Sequence, residues 1–331
     1  MYPRAKGCDG LKHSITNFEV GAFECLPRDM NMTNLLGEQE VVGGDSESKS
    51  APNAALGVEI DAKRKGFSWR KRLRYRSGET LFRTPIIWWR HRGLLHSDVF
   101  LATYPRSGYT WLRFLLFDAI TGKSSEFKEV NVAMPYVARH RQALPMLPRG
   151  GRIIATHETY RREYKRAIYV VRDVRDVAVS EYLRERAKGL VGNVDDYLGD
   201  FLEGRKRHGS WARHLSSWLD SETARKGDLL VLRYEDLHTR PLEILQKVTA
   251  FLGLKVLSSS IQRAIEDNTI ERMRVKEDVS GVTFQGGGED GRFVRKGSIG
   301  GWRDRLTRDQ ILRIEAHAGA ALERMGYRLE G

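Results

Sequence analysis

The sequence predicts an α/β protein: a three-layer α/β/α domain around a central parallel sheet. Three observations carry that prediction. Short apolar, β-branched runs alternate with longer stretches at helical spacing, as in parallel sheets with helices on both faces. The strand-like runs are apolar throughout, the pattern of strands buried on both sides. No repeat of solenoid or propeller length is present.

Taken in order, the strands are Val99–Thr103, Ile153–Thr156, Ile168–Val171 and Leu229–Leu232. Between them, Thr110–Ile120, Asp176–Ala187 and Ser210–Arg225 read as helices. Ligands of such sheets bind beyond the carboxyl ends of the strands, so the chemistry is expected there.

The ends of the chain behave differently from this core. Of the formal net charge of +13, residues 1–60 carry −4 and the remainder +17. Residues 1–62 lack sustained apolar periodicity and read as a disordered leader, with Met30 and Met32 as candidate starts. Residues 63–94 form a basic lead-in, with Lys63, Arg64, Lys65, Arg70, Lys71, Arg72, Arg74 and Arg76 interleaved with Phe67, Trp69 and Tyr75. That cluster fits an anionic membrane surface, a nucleic acid, or a solvated edge of the domain that begins at 95 and runs to 331. No run approaches the length of a membrane span, and Met1–Asp9 lacks a secretory pattern. The two cysteines, Cys8 and Cys25, leave the domain without disulfide or thiolate metal site, which suits a reducing, cytoplasmic setting.

Each predicted strand ends in residues suited to anions or proton transfer. After the first come Tyr104-Pro105-Arg106-Ser107-Gly108-Tyr109-Thr110-Trp111, a strand, glycine loop and helix start. Free N–H groups of a first helical turn bind anions, and Arg106, Ser107 and Thr110 add a cation and hydroxyls. A nucleotide-triphosphate P-loop at Gly122-Lys123-Ser124 fails, because Phe117 stands where that motif needs glycine.

The second strand ends in Thr156-His157-Glu158, where His157 is placed either as a general base or as a structural hydrogen-bonder. Glu158 would orient it or cap the next segment. The third ends at Arg172, with Asp173 a candidate N-cap and Ser180 eight residues on. Arg172 and Ser180 converge on one phosphate, or Arg172 pairs with Asp173 or Asp176. The fourth ends in Arg233-Tyr234-Glu235-Asp236. Later, Gly286, Gly287, Gly288 and Gly291 precede Phe293-Val294-Arg295-Lys296-Gly297 and Gly300-Gly301-Trp302, a mobile anion clamp or a flexible linker.

Together these segments resemble the cytosolic-type sulfotransferases, which use 3′-phosphoadenosine 5′-phosphosulfate (PAPS). Tyr104–Trp111 is similar to the family's 5′-phosphosulfate loop, Tyr169–Tyr182 to its 3′-phosphate motif, and Phe293–Trp302 to its Arg-Lys-Gly loop. Thr156-His157 and Tyr234-Glu235-Asp236 match two shorter motifs, so the resemblance spans about residues 95–330.

It implies a single domain of P-loop-like form that needs no metal. His157 would be the base and Arg106 the stabiliser of the transferring group. Ser107, Gly108, Tyr109 and Thr110 would hold the 5′-phosphate, and Arg172, Ser180, Arg295, Lys296 and Gly297 the 3′-phosphate. Trp111 and Tyr234 would lie beside the adenine. Four positions depart from the pattern: Arg106 for lysine, Tyr109 for threonine, Ala155 before Thr156-His157, and Gly301 for aspartate.

The acceptor, a small molecule or glycoconjugate bearing a hydroxyl, would meet loops in Phe127–Pro148, Arg184–His208 and Asp278–Asp290. Arg139-His140-Arg141 and Arg205-Lys206-Arg207-His208 suit a polar or anionic one such as a glycan or glycolipid, or form a solvated basic surface. Two other readings stand beside this one: a P-loop kinase, and a non-catalytic basic protein binding nucleotide or nucleic acid without His157. Neither a specific nucleic-acid partner nor a membrane span belongs to the main reading, which leaves peripheral contact through 63–76 open.

Overall fold

Five strands form one sheet in the order β2-β3-β1-β4-β5. They are β1 (Val99–Thr103), β2 (Pro145–Leu147), β3 (Gly151–Thr156), β4 (Ala167–Val171) and β5 (Leu229–Arg233). All residues of β1, β3 and β4 are buried, whereas β5, at an edge, alternates between buried and half-buried positions. Because strand side chains alternate between faces, Phe100 and Ala102 enter one core and Val99 and Leu101 the other.

The computed structural model describes residues 84–281, 294 and 297–331. By its contacts the chain divides into Met1–Lys63 and Arg64–Gly331, and the described residues all lie in the second unit. The expected leader, the lead-in up to residue 83, the glycines of 286–291, and Arg295 and Lys296 lie outside the described residues.

The described helices are α1 (Thr84–His91), α2 (Tyr109–Thr121), α3 (Phe127–Ala133), α4 (Val174–Ala187), α5 (Val194–Leu202), α6 (Trp211–Leu219), α7 (Glu222–Arg225), α8 (Tyr234–Thr239), α9 (Pro241–Phe251), α10 (Ser258–Asp267), α11 (Ile270–Ser280) and α12 (Arg308–Arg324). Leu112, Leu115 and Leu116 of α2 cover one face of the sheet with α9 and α10. Val174, Val177 and Ala178 of α4 cover the other with α6 and α12. Three layers result, as expected. Among the described residues no helix is long and apolar enough to cross a membrane.

Two expectations need correction. The sheet is mixed, because β2 runs antiparallel to β3. Only the turn Pro148–Gly150 joins them, and so short a connection permits antiparallel pairing alone. Pro145 opens the three-residue strand and Pro148 follows it, and this hid the strand in the sequence. The second correction concerns Ser210–Arg225, which is two helices. Ser221 accepts a bond from the Ala224 N–H, so its hydroxyl caps a new helix instead of continuing the old one.

Register brings the functional ends level. Ala102 sits beside Thr156, Thr103 beside Val170, and Val171 beside Arg233. From central β1 the chain crosses to β3 on one side and later to β4 on the other, so the cleft above β1 is the topological switch point.

Candidate active site

Beyond β1 the chain turns sharply before α2. Arg106 has φ 70° and Gly108 φ 84°, both left-handed. For arginine that conformation costs on the order of 1–3 kcal/mol, a strain typical of functional loops. Glycine is required at 108: a Cβ there would lie 2.3 Å from the Tyr234 ring. Gly108 is also the N-cap of α2 and offers no side chain, so the first-turn N–H groups keep no capping partner. Ser107 is fully buried and its hydroxyl lacks a hydrogen-bond partner.

Arg172, at the end of β4, faces this loop. Its guanidinium donates to the carbonyls of Ser298 (2.8 Å) and Arg106 (3.3 Å) and stacks 4.6 Å over Tyr234, while its buried Nε has no partner. Asp176 lies 3.7 Å from it, so the pairing foreseen as an alternative exists alongside the loop contacts. Ser180, in contrast, joins Arg106: its hydroxyl accepts from Arg106 Nε at 2.9 Å. Asp173 caps α4 as expected, accepting from the Arg175 N–H.

Tyr234 connects the separate motifs. Its ring covers Gly108 and meets Trp111 edge-on at 6.2 Å, and its hydroxyl donates to the Gly297 carbonyl at 2.8 Å. Asp176 secures the last motif, accepting from the N–H groups of Gly300 (2.9 Å) and Trp302 (3.1 Å). Trp302 is buried, with the Arg175 and Arg303 guanidinium groups 4.1 and 4.2 Å from its rings.

On the other side of the cleft, His157 Nδ1 lies 2.9 Å from the Thr103 carbonyl. A carbonyl can only accept, so Nδ1 carries the proton and Nε2 presents its lone pair. The Tyr136 hydroxyl donates to Nε2 at 3.1 Å and is itself hydrogen-bonded to the Tyr109 hydroxyl. Tyr136 reaches this point because it bridges to Ala155 of β3. Since Nε2 has one lone pair, it can accept from no second donor until Tyr136 yields it.

Electrostatics keep the ring neutral. Burial lowers the His157 pKa to about 4, against the Thr103 bond, which raises it; Arg207 and Arg113 add to the lowering. His208 Nδ1 and His214 Nε2 both donate to the His157 carbonyl at 3.2 Å. Burial lowers each of these to about 3. Glu158 plays neither role considered for it. It accepts from Arg161 (3.0 Å) and Tyr164 (2.9 Å) and pairs with Arg90 of α1 (2.9 Å). Burial opposes its ionisation, but the His91 bond and the arginines hold its pKa at about 2.

One cavity of about 960 Å³ spans both sides, from Arg106, Thr110, Arg172, Ser180, Tyr234 and Gly297 to Tyr136 and His157. Its residues come from the ends of all four parallel strands. The sulfotransferase domain family matches residues 96–326 of the chain.

The chain belongs to that family. The chain is 27% identical to sulfotransferase 1B1 of Mus musculus over 274 residues, covering 75% of this chain and 91% of that protein. To a flavonol sulfotransferase-like protein of Flaveria bidentis it is 25% identical over 249 residues, 66% of this chain and 79% of the other. Its fold is similar to that of a retinol dehydratase solved with androsterone and the inactive cofactor PAP, with TM-score 0.58 and 21% identity over 72% of this chain and 84% of that one. A mouse sulfotransferase complexed with PAP gives TM-score 0.54 and 22% identity over 71% and 88%. The sulfotransferase reaction of the family draws on PAPS, and two orphaned donors, Ser107 Oγ and Arg172 Nε, offer such an anion unsatisfied hydrogen bonds.

Several features of this sulfotransferase were not found from its sequence. Tyr136, His214 and the clamp made by Asp176 follow no motif, and only the third dimension joins them. Arg139, His140 and Arg141 do not line the cavity, whereas Lys206, Arg207 and His208 do. Arg205 is taken up by Asp200 and Glu203, and Lys206 donates to Glu185 at 2.8 Å. The stretches expected as acceptor loops carry α3, β2 and α5. Among the described residues no three His, Cys, Asp or Glu gather as a metal site.

Proposed function

We propose that the chain transfers the sulfuryl group of PAPS to an acceptor hydroxyl, with His157 as general base and no metal. The observation that carries this reading is the fixed tautomer of His157: Nδ1 is spent on Thr103, and Nε2 faces the cavity that holds the anion loop. The acceptor oxygen attacks sulfur, its proton passes to Nε2, and the S–O bond to the 5′-phosphate breaks. The bonding pair leaves on the phosphate oxygen, giving adenosine 3′,5′-bisphosphate.

The donor would lie with its 5′-phosphate on the N–H groups at Ser107, Gly108, Tyr109 and Thr110, at the start of α2. Arg106 stabilises the charge that builds on the leaving oxygen. Arg172 and Ser180, with Arg295, Lys296 and Gly297, would take the 3′-phosphate, and Trp111 and Tyr234 the adenine. A pKa of about 4 keeps His157 unprotonated at neutral pH but makes it a weak base. Bound donor brings negative charge into the cavity, which raises that pKa and strengthens the base when it is needed.

A small-molecule or glycoconjugate acceptor would enter past Tyr136, Arg207 and His208. A cytoplasmic setting fits the two cysteines, both in the first 25 residues. The test is transfer of labelled sulfate from PAPS to a panel of hydroxyl acceptors, run with thermal shifts by adenosine 3′,5′-bisphosphate, ATP and DNA. The bisphosphate should stabilise most. Preference for ATP, with phosphate rather than sulfate transferred, would replace this reading with a kinase.

A further inference from the structure

The C-terminal end of α1 carries an exposed aromatic pair: Trp88 is 64% and Trp89 62% accessible, and Leu95 just beyond is 46%. Side chains of this size are rarely left so far in water on a surface without a partner. The Arg92 guanidinium stands 5.7 Å over the Trp88 ring. Its carbonyl accepts from Arg141 Nε at 3.2 Å, which joins α1 to the segment 136–144. On that segment Arg139 and Arg141 are exposed, with Leu144 at 41% and nearby Val132 at 50%. Leu144 is tied to the end of α3 by its bond to the Ala133 carbonyl.

This face is apolar and cationic at once. Neither 87–96 nor 136–144 contains an acidic residue, and together they hold Arg90, Arg92, Arg139 and Arg141. The sequence leading in continues the signature, with nine basic residues and one acidic between 62 and 86. A nucleic acid would neutralise the arginines but has nothing to cover Leu95, Val132 and Leu144. A bilayer surface answers both demands, with tryptophan at headgroup depth and cations on lipid phosphates.

We propose that this face docks the protein on an anionic lipid bilayer. Trp88 and Trp89 enter the interface, and Arg92, Arg139 and Arg141 meet the headgroups. The turn bearing the last two begins right after Tyr136, and at about 2 Å rise per residue they sit roughly 6–10 Å from it. Docking would thus bring the acceptor side of the cavity to the membrane. It depends on no assumption about catalysis.

Co-sedimentation of the full chain tests it, using phosphatidylcholine vesicles with and without about one third phosphatidylserine at about 0.1 M salt. The protein should pellet with the anionic vesicles and stay in solution with the neutral ones. Trp88→Ala with Trp89→Ala should weaken binding about tenfold or more, leaving thermal shift by adenosine 3′,5′-bisphosphate unchanged. If that variant misfolds, Arg139→Gln with Arg141→Gln gives the second reading and should lower binding in the same direction. No pelleting with anionic vesicles overturns the proposal, as does wild-type binding by both variants. So does a single-stranded oligonucleotide or a second copy of the chain binding through the tryptophans while vesicles are ignored.

Discussion

At the donor end of the cavity, the side chains come from runs of neighbours: 104–111 after β1, 172–180 after β4, 297–302 near α12. At the acceptor end, the groups around His157 come from scattered positions, 136, 208 and 214, with Lys206 and Arg207 beside His208 as the one short run. On the proposed reading, the donor end would meet its ligand with backbone N–H groups and guanidinium forks held in tight turns. The acceptor end presents side-chain hydroxyls and rings, and the Tyr136 hydroxyl already occupies Nε2 of His157, the proposed base. A ligand of fixed chemistry is matched by local backbone geometry, whereas a variable one is left to residues that packing brings together.

The sharpest break between the two ends is His157→Ala. Transfer should fall roughly 10²–10⁴-fold, the usual cost of losing a general base. Calorimetry should find binding of adenosine 3′,5′-bisphosphate nearly intact, since no phosphate contact is lost. Turnover at the wild-type rate with an unactivated hydroxyl would remove His157 from the chemistry.

Arg172→Ala reverses the pattern. It should weaken adenosine 3′,5′-bisphosphate about ten- to a hundredfold, roughly 1.5–3 kcal/mol for a charge-assisted bond. Adenosine 5′-phosphate, lacking the 3′-phosphate, should lose much less. Equal losses for the two nucleotides would place Arg172 outside the 3′-phosphate site.

Acid should strike the acceptor end first. His157, His208 and His214 have folded pKa values near 4, 3 and 3, below the unfolded value of 6.5. Depressed values mean that the native state favours the neutral rings. Their contribution is complete above pH 6.5 and drains away as pH falls toward 4 and 3. Thermal melts should therefore drop by several degrees between pH 7 and 5, and bound bisphosphate should make that fall shallower, because its charge raises the folded pKa of His157 toward the unfolded value. A flat profile over that window would contradict a cluster of neutral rings, of which His214 is buried and His157 and His208 are half-buried.

The finest probe is Tyr136→Phe. Its hydroxyl donates to Nε2 and so favours neutral imidazole; removing it should raise the His157 pKa. The acid limb of kcat/KM should move to higher pH, with KM for acceptor down a few-fold because no internal hydroxyl competes. An unmoved limb and a higher KM would make Tyr136 part of acceptor binding instead.

This contrast also explains what could be read in the sequence. The strands at 99–103, 153–156 and 168–171 were legible because burial on both faces writes an unbroken apolar run, and the edge strand at 229–232 because its half-buried positions are leucine and valine as well. Arg106, Gly108, Arg172 and Tyr234 were legible because each immediately follows or closely trails such a strand. Ser180 was found, but its partner was not: helical spacing gives a side chain's face, not which of two arginines it meets. Tyr136 and His214 were invisible, since their roles arise from a single bridge to Ala155 and from packing against Tyr169. Arg139 and Arg141 looked like pocket residues by charge alone, and charge does not say which way a turn faces.

The clamp on the last motif has a consequence for how the molecule comes to exist. Asp176 holds Gly300 and Trp302, and Arg175 reaches Glu315 and the Arg328 carbonyl. These contacts join positions more than a hundred residues apart, so closing them carries a large loop entropy and they form late. The sheet and α2 can be complete while the site is still open at that edge. A ribosome-bound chain that stops short of Gly297 would then have the Arg106–Thr110 loop but no Gly297 and Ser298 carbonyls for Tyr234 and Arg172, and on the proposed reading it would hold donor weakly until those last residues arrive.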